Sequence, residues 1–209
     1  MRLYSYWRST TSYRVRIALH LKGIDHEVVP VNLARGEQHS PGFTALNPAR
    51  GVPVLVLEDG TTLTQSLAII DYLEGIRPKP ALLPARQSER ARVMAAAHVV
   101  ALDIHPVNNL RVVRRLKAMG HGPEETAGWM RHWMNEGLSA FQAMIRTDTP
   151  FAFGHAPGLA DICLVAQLYN ARRWGLDLTP FARLTEIEGN CLALEAFARG
   201  RPEAQPDAE

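Results

Sequence analysis

Cysteine is scarce in this sequence. Among its 209 residues only Cys163 and Cys191 are cysteines, and neither belongs to a CxxC pair or to a spacing typical of metal ligands. A disulfide-stabilised scaffold and a zinc-binding module are therefore not expected. Both residues lie in stretches with a helical pattern, where we expect buried, reduced thiols.

The sequence also lacks an excess of charge of one sign and long apolar runs. Its 23 Lys and Arg residues nearly balance 21 Asp and Glu residues, and no basic run is interleaved with aromatic residues. Binding of nucleic acid is therefore not expected. Since no apolar stretch reaches the length of a signal peptide or a membrane span, we expect no membrane association and a cytoplasmic location.

What the sequence does contain is a concentrated group of hydroxyl residues near its start. The segment Leu3-Tyr4-Ser5-Tyr6-Trp7 alternates like a strand, and a helical pattern follows it until Gly23. Between the two stand Ser9, Thr10, Thr11 and Ser12. Such residues cap helices, and the positive end of a helix favours a bound anion. Simple capping and anion binding both remain open for this group.

A small α/β arrangement is predicted around this first helix. Residues 27–31 should form a second strand parallel to the first, because a helix connects the two. Asp59-Gly60 separates two further strand-like runs and indicates a tight hairpin. Val52-Pro53 precedes that hairpin. A cis bond there would present the Val52 amide and carbonyl to an extended peptide ligand; alternatively, Pro53 merely begins a strand.

The rest of the chain is predicted to be helical. A helix begins at Gln65-Ser66, with Ser66 as its cap, and offers a second anion site. A proline-containing linker over residues 76–87 separates an α/β domain at residues 1–80 from an all-helical domain at residues 88–209. Helices are expected over 88–118, 123–146 and 159–174 and within 181–199. Residues 200–209 should lie extended on the surface or be loose.

Four motifs resemble the zeta-class glutathione transferases, in particular the maleylacetoacetate and maleylpyruvate isomerases of that class. They are the run from Arg8-Ser9-Thr10-Thr11 to Leu19, Val52-Pro53, Gln65-Ser66 and Ala160-Asp161. The resemblance extends from residue 2 to about residue 207, including the closing Ala204-Gln205-Pro206-Asp207. It implies a thioredoxin-like domain that binds glutathione as a cofactor, a helical domain for an acidic substrate, and a homodimer.

The activity that this resemblance implies is a glutathione-dependent cis–trans isomerisation. Maleylacetoacetate would become fumarylacetoacetate through thiolate addition, bond rotation and elimination. The alternatives are isomerisation of maleylpyruvate, conjugation or dehalogenation by the same thiolate, and a non-catalytic scaffold that only binds glutathione.

The resemblance assigns the catalytic hydroxyl to Ser9, which would assist the glutathione thiolate. The family commonly has Ser-Ser-Cys where this chain has Ser9-Thr10-Thr11, so Thr10 and Thr11 remain catalytic candidates, as does Tyr6. The absent cysteine excludes covalent thiol chemistry of the glutaredoxin kind at this position. A second departure is Gly158, where the family often has a Ser or Thr as a helix cap.

The other predicted site residues hold glutathione or the carboxylates of a substrate. The glutathione contacts that the resemblance implies are Val52, Pro53, Gln65 and Ser66. A helix bend expected at Pro106 often marks a cavity wall. Three polar residues near this bend are further predicted cofactor contacts: Asp103, His105 and Asn109. A dicarboxylate substrate needs guanidinium partners, and the arginines predicted to supply them are Arg8, Arg111 and Arg173. No metal site is predicted.

Overall fold

The computed structural model describes all residues of the chain, 1–209. The chain forms two compact units, one made of residues 1–81 together with 192–209 and the other of residues 82–191. The sequence-based division assigned everything from residue 88 onward to the second domain. The structure differs at the carboxyl end, which belongs to the first unit.

The first unit contains a four-stranded sheet in the order β2-β1-β3-β4. Its strands are β1 (Arg2–Ser5), β2 (Glu27–Pro30), β3 (Val54–Val56) and β4 (Thr62–Thr64). Strands β1 and β2 are parallel, with Leu3 opposite Val28, whereas β1 with β3 and β3 with β4 are antiparallel. The predicted parallel pair and the hairpin at Asp59-Gly60 are both confirmed.

Three helices of the first unit follow strands or loops of this sheet: α1 (Thr10–Lys22), α2 (Pro41–Leu46) and α3 (Ser66–Ile76). Helix α1 ends at Gly23, whose φ of 59° is left-handed and suits a glycine. The short helix α2 was not predicted. Ser40 caps it by accepting a hydrogen bond from the Phe43 amide at 3.3 Å, but its six residues are too few to establish a periodic pattern.

The second unit is helical: α4 (Gln87–His98), α5 (Leu110–Ala118), α6 (Pro123–Met144), α7 (Leu159–Arg173) and α8 (Ala182–Leu192). The single helix predicted over residues 88–118 is wrong, because a π-helical turn at Val99–Ile104 and a 3₁₀ turn at Pro106–Asn108 divide it. Pro106 has no amide to continue an α-helix. Asn109 then caps a new helix, α5.

The carboxyl end joins the first unit through buried polar contacts. The buried Arg16 of α1 donates from Nε to the Gly200 carbonyl, at 2.9 Å, where helix α9 (Glu195–Gly200) ends. A Cβ at Gly200 would lie 3.0 Å from Ile17 Cγ1, so glycine permits this close packing. The Trp7 amide donates to Asp207 Oδ2 at 3.0 Å. The expectation that residues 200–209 lie loose or simply extended is therefore wrong.

The two cysteines are both buried and free, as predicted. Burial raises the pKa of the Cys191 thiol well above its usual range. None of the helices combines the length and the apolar character needed to cross a bilayer.

Candidate active site

Ser9 occupies the start of α1, where β1 has just ended. It is the N-cap residue, with φ −70° and ψ 118°, and its Oγ accepts a hydrogen bond from the Ser12 amide at 3.2 Å. This predicted cap is confirmed. Ser9 Oγ also lies 3.0 Å from Thr11 Oγ1, so the hydroxyl has a second partner within the same turn.

A chain of hydroxyl groups leads from Ser9 to the loop before β3. Thr11 Oγ1 donates to the Val52 carbonyl at 2.8 Å. Since a hydroxyl has only one proton to donate, the Ser9 hydroxyl is the donor to Thr11 in this arrangement. Ser9 can turn its O–H toward a ligand while the bond from Thr11 to Val52 stays intact. The side chain of Thr10 is buried and takes no part in this chain.

The loop before β3 leaves one backbone donor free. The Val52-Pro53 peptide bond is cis, one of the two alternatives that the sequence left open. The Val52 amide donates no hydrogen bond within the chain. The side chain of Asn47 supports the loop from below, because its Nδ2 donates to the Gly51 carbonyl at 2.7 Å. An extended peptide could therefore pair with Val52.

The start of α3 is built differently from the prediction. Ser66 is the first helical residue and the N-cap is Gln65, whose side chain forms no capping hydrogen bond. The prediction that Ser66 caps this helix is therefore wrong. Gln65 has a φ of 68° and ψ of 118°, a conformation that costs a non-glycine residue about 1–3 kcal/mol. The amides of the first turn thus remain available for an anion.

Ser66 itself lies in a buried, positively charged environment. Its side chain is 5% exposed, and Arg14 Nη1 of α1 donates to its Oγ at 3.5 Å. Sequence reasoning missed Arg14 as a neighbour of the site, because an arginine within a helical stretch usually faces solvent.

Arg8 stands beside Ser9 with its guanidinium group only partly engaged. Its Nη2 donates to the Tyr6 hydroxyl at 3.1 Å, and its Cζ lies 4.7 Å from the centroid of the Trp7 ring. No carboxylate pairs with it, and its Nε is buried without a partner. Tyr6 is weakened as a rival to Ser9, since its ring is buried in the core. Arg8 is suited to bind an anion.

The predicted contacts around Pro106 lie in the second unit and differ in exposure and in hydrogen bonding. Asp103 is exposed on the π-helical turn, and His105 is half-buried. Asn109 has a structural role, because its Oδ1 accepts from the Arg111 amide at 3.1 Å and caps α5. The exposed Arg111 side chain lines an apolar groove of about 890 Å³ beside Trp129.

The two arginines at the end of α7 differ in their surroundings. Arg172 forms a two-pronged ion pair with the buried Glu188, with Nη1 donating to Oε1 at 2.6 Å. This pair explains Arg172 as a structural residue. Arg173 is exposed in the last turn of the helix, and its predicted role in binding substrate remains a prediction.

The Ala160-Asp161 motif has a structural role at the start of α7. The Asp161 carboxylate accepts from the Gly158 amide at 2.9 Å and the Ala152 amide at 2.8 Å. Burial raises the pKa of Asp161 to about 6, although these amides oppose the rise. A Cβ at Gly158 would lie 2.8 Å from the Leu82 carbonyl oxygen, which accounts for glycine where the family often has Ser or Thr.

Known proteins are similar to this chain over nearly its whole length. The family described as the glutathione S-transferase N-terminal domain matches residues 8–76. A maleylacetoacetate isomerase of Pseudomonas aeruginosa is 46% identical over 209 residues, which are 99% of this chain and 98% of that protein. A solved holo structure of a maleylpyruvate isomerase, a bacterial zeta-class transferase, is 43% identical with a TM-score of 0.97 and full coverage of both chains. The chain belongs to the zeta-class glutathione transferases, in the family of maleylacetoacetate isomerases.

Another zeta-class relative has been solved with ligands. The structure of a maleylacetoacetate isomerase of Methylobacterium extorquens, with bound malonate and glutathione, has a TM-score of 0.95 and 39% identity over the whole of both chains. The family resemblance and the fold class predicted from the sequence, a thioredoxin-like domain followed by a helical domain, are confirmed. The site residues of this zeta-class chain are tested by none of these comparisons and remain proposals.

Proposed function

We propose that this chain is a glutathione-dependent cis–trans isomerase that converts maleylacetoacetate to fumarylacetoacetate. The observation that carries the proposal is the hydroxyl chain from Ser9 through Thr11 to Val52, beside a guanidinium group that has no carboxylate partner. Bound glutathione supplies a thiolate that adds reversibly to the cis double bond, so that the bond can rotate before the thiolate leaves.

Ser9 stabilises the thiolate in this proposal. A free thiol has a pKa of about 8.5, and lowering it by about two units requires about 2.7 kcal/mol of preference for the anion. A hydrogen bond to a charged acceptor supplies about 1.5–3 kcal/mol, and a helix amino terminus adds about 0.3–1 kcal/mol. The Ser9 hydroxyl at the start of α1 combines both effects. One hydroxyl and one helix end are therefore sufficient to lower the thiol pKa by this amount.

The first unit also fits the peptide part of glutathione. The Val52 amide is free for a backbone pair beside Pro53, and the uncapped start of α3 suits the carboxylate of the γ-glutamyl end. Gln65 and Ser66 stand at that start, with Arg14 adding positive charge. Three cofactor contacts in the second unit remain predictions: Asp103, His105 and Asn109.

Arg8 is the proposed anchor for a substrate carboxylate. Its planar guanidinium group has no carboxylate partner in the chain and suits a carboxylate, which such a group can bind through two parallel bonds. Malonate, bound with glutathione in the Methylobacterium extorquens isomerase, is itself a dicarboxylate. Arg111 and Arg173 remain predicted partners for the other carboxylate.

Maleylpyruvate is the second candidate substrate. The structure with a TM-score of 0.97 is that of a maleylpyruvate isomerase, and a Ralstonia relative of that name is 44% identical over 214 residues. Both substrates offer a carboxylate and a conjugated cis double bond to the same residues. The relative kcat/KM values for maleylacetoacetate and maleylpyruvate would choose between them.

The activity is tested by measuring isomerisation with and without glutathione. Turnover should require glutathione and leave its total concentration unchanged, whereas a conjugating or dehalogenating transferase would consume it. A non-catalytic scaffold would convert neither substrate, with or without glutathione.

Ser9→Ala should lower kcat about 10- to 100-fold, because the thiolate loses a hydrogen bond of about 1.5–3 kcal/mol. Ser139→Ala, on the exposed surface of α6, is the matched control and should retain full activity. An unchanged kcat in Ser9→Ala would refute the role of Ser9 and assign it to Thr10, Thr11 or Tyr6.

We also propose a homodimer, as the family resemblance implies, and a cytoplasmic location. Large apolar side chains are exposed on the isolated chain, including Leu102 at 56% and Met119 at 58%. Burying such side chains is a common reason for association. Sedimentation velocity at several protein concentrations would measure the assembly.

A further inference from the structure

Two charged side chains, Asp207 and Arg16, hold the backbone of Trp7 on its two sides. Its amide donates to Asp207 Oδ2 at 3.0 Å, across a separation of 200 residues. Its carbonyl accepts from Arg16 Nη2 at 2.9 Å, and the same guanidinium group donates to Gly200. The carboxyl end of the chain thus fixes the residue that directly precedes Arg8.

The ring of Trp7 in turn supports the Arg8 side chain. Trp7 is 7% exposed, and the Arg8 guanidinium lies over its face at 4.7 Å from the centroid. A cation over an aromatic face is held in both distance and direction. The Trp7 ring and the Tyr6 hydroxyl, to which Arg8 Nη2 donates at 3.1 Å, together set where the Arg8 guanidinium points.

The carboxylate of Asp207 has a single hydrogen-bond partner, the Trp7 amide. No cation pairs with its carboxylate, and Oδ1 is buried without a hydrogen-bond partner. An unsatisfied buried oxygen costs stability. No other group of the chain bonds to this carboxylate, and its one hydrogen bond is directed at the residue before Arg8.

We infer that Asp207 is a positioning residue, whose carboxylate holds Trp7 so that Arg8 is aimed at a carboxylate of the substrate. This inference rests on the proposed function, in which Arg8 binds that carboxylate. It adds the last residues of the chain to the set that determines substrate affinity.

Asp207→Ala tests the inference on the full-length protein. KM for the dicarboxylate substrate should rise about tenfold, since the hydrogen bond that orients Trp7 is lost. Glutathione affinity and the ultraviolet absorbance of the bound thiolate should remain unchanged, because Ser9 and Val52 keep their own contacts. A general loss of structure would instead alter all of these quantities together and would overturn the inference.

A double-mutant cycle with Arg8→Ala separates the two roles. If Asp207 acts through Arg8, the double variant should bind substrate no more weakly than Arg8→Ala alone. Losses that multiply would overturn the inference. Asp207→Asn, which keeps an acceptor oxygen for the Trp7 amide, should restore the wild-type KM to within about twofold. Glu203→Ala, an exposed residue of the same segment, is the matched control and should have no effect.

The same cycle with a binding readout keeps the inference separate from the proposed function. Calorimetric titration of malonate into the glutathione-loaded protein reports the Arg8 site without turnover. Absence of isomerisation in the wild type would count against the proposed function alone. Equal malonate affinity in wild type and Asp207→Ala would overturn the inference alone. If Asp207→Ala fails to fold, Asp207→Glu takes its place, since it keeps the charge and displaces the acceptor oxygen.

Discussion

The starts of α1 and α3 solve the same problem in opposite ways. At α1, the Ser9 side chain accepts from the Ser12 amide and the first turn is capped from within. At α3, the Gln65 side chain caps nothing, and its φ of 68° adds strain. The first helix start has a side-chain cap, whereas the second leaves the amides of its first turn open to a ligand.

This difference assigns the two helix starts to different tasks. The side-chain cap at α1 fixes Ser9 in place. A fixed position suits a hydroxyl that must meet a sulfur atom. The incomplete cap at α3 leaves hydrogen-bond donors for the charged end of a peptide. The start of α3 is therefore expected to lower the stability of the fold and to increase the affinity for a ligand.

The largest effect is expected at a third helix start, where one carboxylate accepts from two backbone amides. Asp161 accepts these hydrogen bonds at the start of α7, the one from Ala152 buried and the one from Gly158 part-buried. Asp161→Ala should lower the free energy of unfolding by about 3 kcal/mol, because both amides lose their acceptor. Urea unfolding measures this loss.

Asp177→Ala is the matched control, because Asp177 forms similar local bonds to Thr179 but is exposed. It should cost less than about 1 kcal/mol. Similar losses in the free energy of unfolding for the two variants would show that burial does not increase the contribution of Asp161 to stability.

A smaller effect, opposite in sign, is expected where the cap is incomplete. Gln65→Gly should raise the free energy of unfolding by about 1 kcal/mol, because glycine adopts a positive φ without strain. The same change should weaken glutathione binding about tenfold through loss of the side chain. Thermal unfolding and calorimetric titration give the two quantities.

Arg50 provides a control for the strain alone, since its φ is 55°. Arg50→Gly should give a similar gain in stability and leave glutathione affinity unchanged. A loss of stability in Gln65→Gly would contradict the view that α3 begins under strain.

Local signals predicted the first unit well and long-range contacts poorly. The Ser9 cap and the hairpin at Asp59-Gly60 each depend on a few adjacent residues, so the sequence shows them directly. Position alone misplaced the start of α3 by one residue, because the conformation of Gln65 is set by its surroundings. The hydrogen bond between Trp7 and Asp207 joins residues 200 positions apart. No pattern of neighbouring residues predicts such a contact.

Two further misses have physical causes in burial and in helix breaking. Arg16 is fully buried with four acceptors, whereas an arginine in a helical pattern indicates an exposed face. The run over residues 88–118 kept a helical pattern through Pro106, so a bend was predicted where the chain changes helix type altogether. The predicted site residues of the first unit lie at strand ends and helix starts, and their roles remain predictions.

An effect that develops only on acidification is expected at the opposite end of α1, where a histidine is half-buried. Burial, together with Arg199, His26 and Arg16, lowers the pKa of His20 to about 4. Between about pH 6.5 and pH 4 the unfolded chain takes up a proton that the folded chain does not. The free energy of unfolding should therefore fall as the pH falls through this range, and His20→Asn should reduce the slope.

Urea unfolding at a series of pH values would test this dependence. Above pH 6.5 wild type and variant should have the same slope, because His20 is then neutral in both states. Parallel curves over the whole range would show that His20 does not contribute.

The first unit is assembled from both ends of the chain, and this has a consequence for its biosynthesis. While the ribosome is still translating the helical part, the sheet and α1 have already emerged, but Gly200 and Asp207 do not yet exist. The Arg16 guanidinium and the Trp7 amide then lack partners that they have in the finished fold. The glutathione-binding unit therefore completes its folding only after Gly200 and Asp207 have been translated, although most of its sequence was made first.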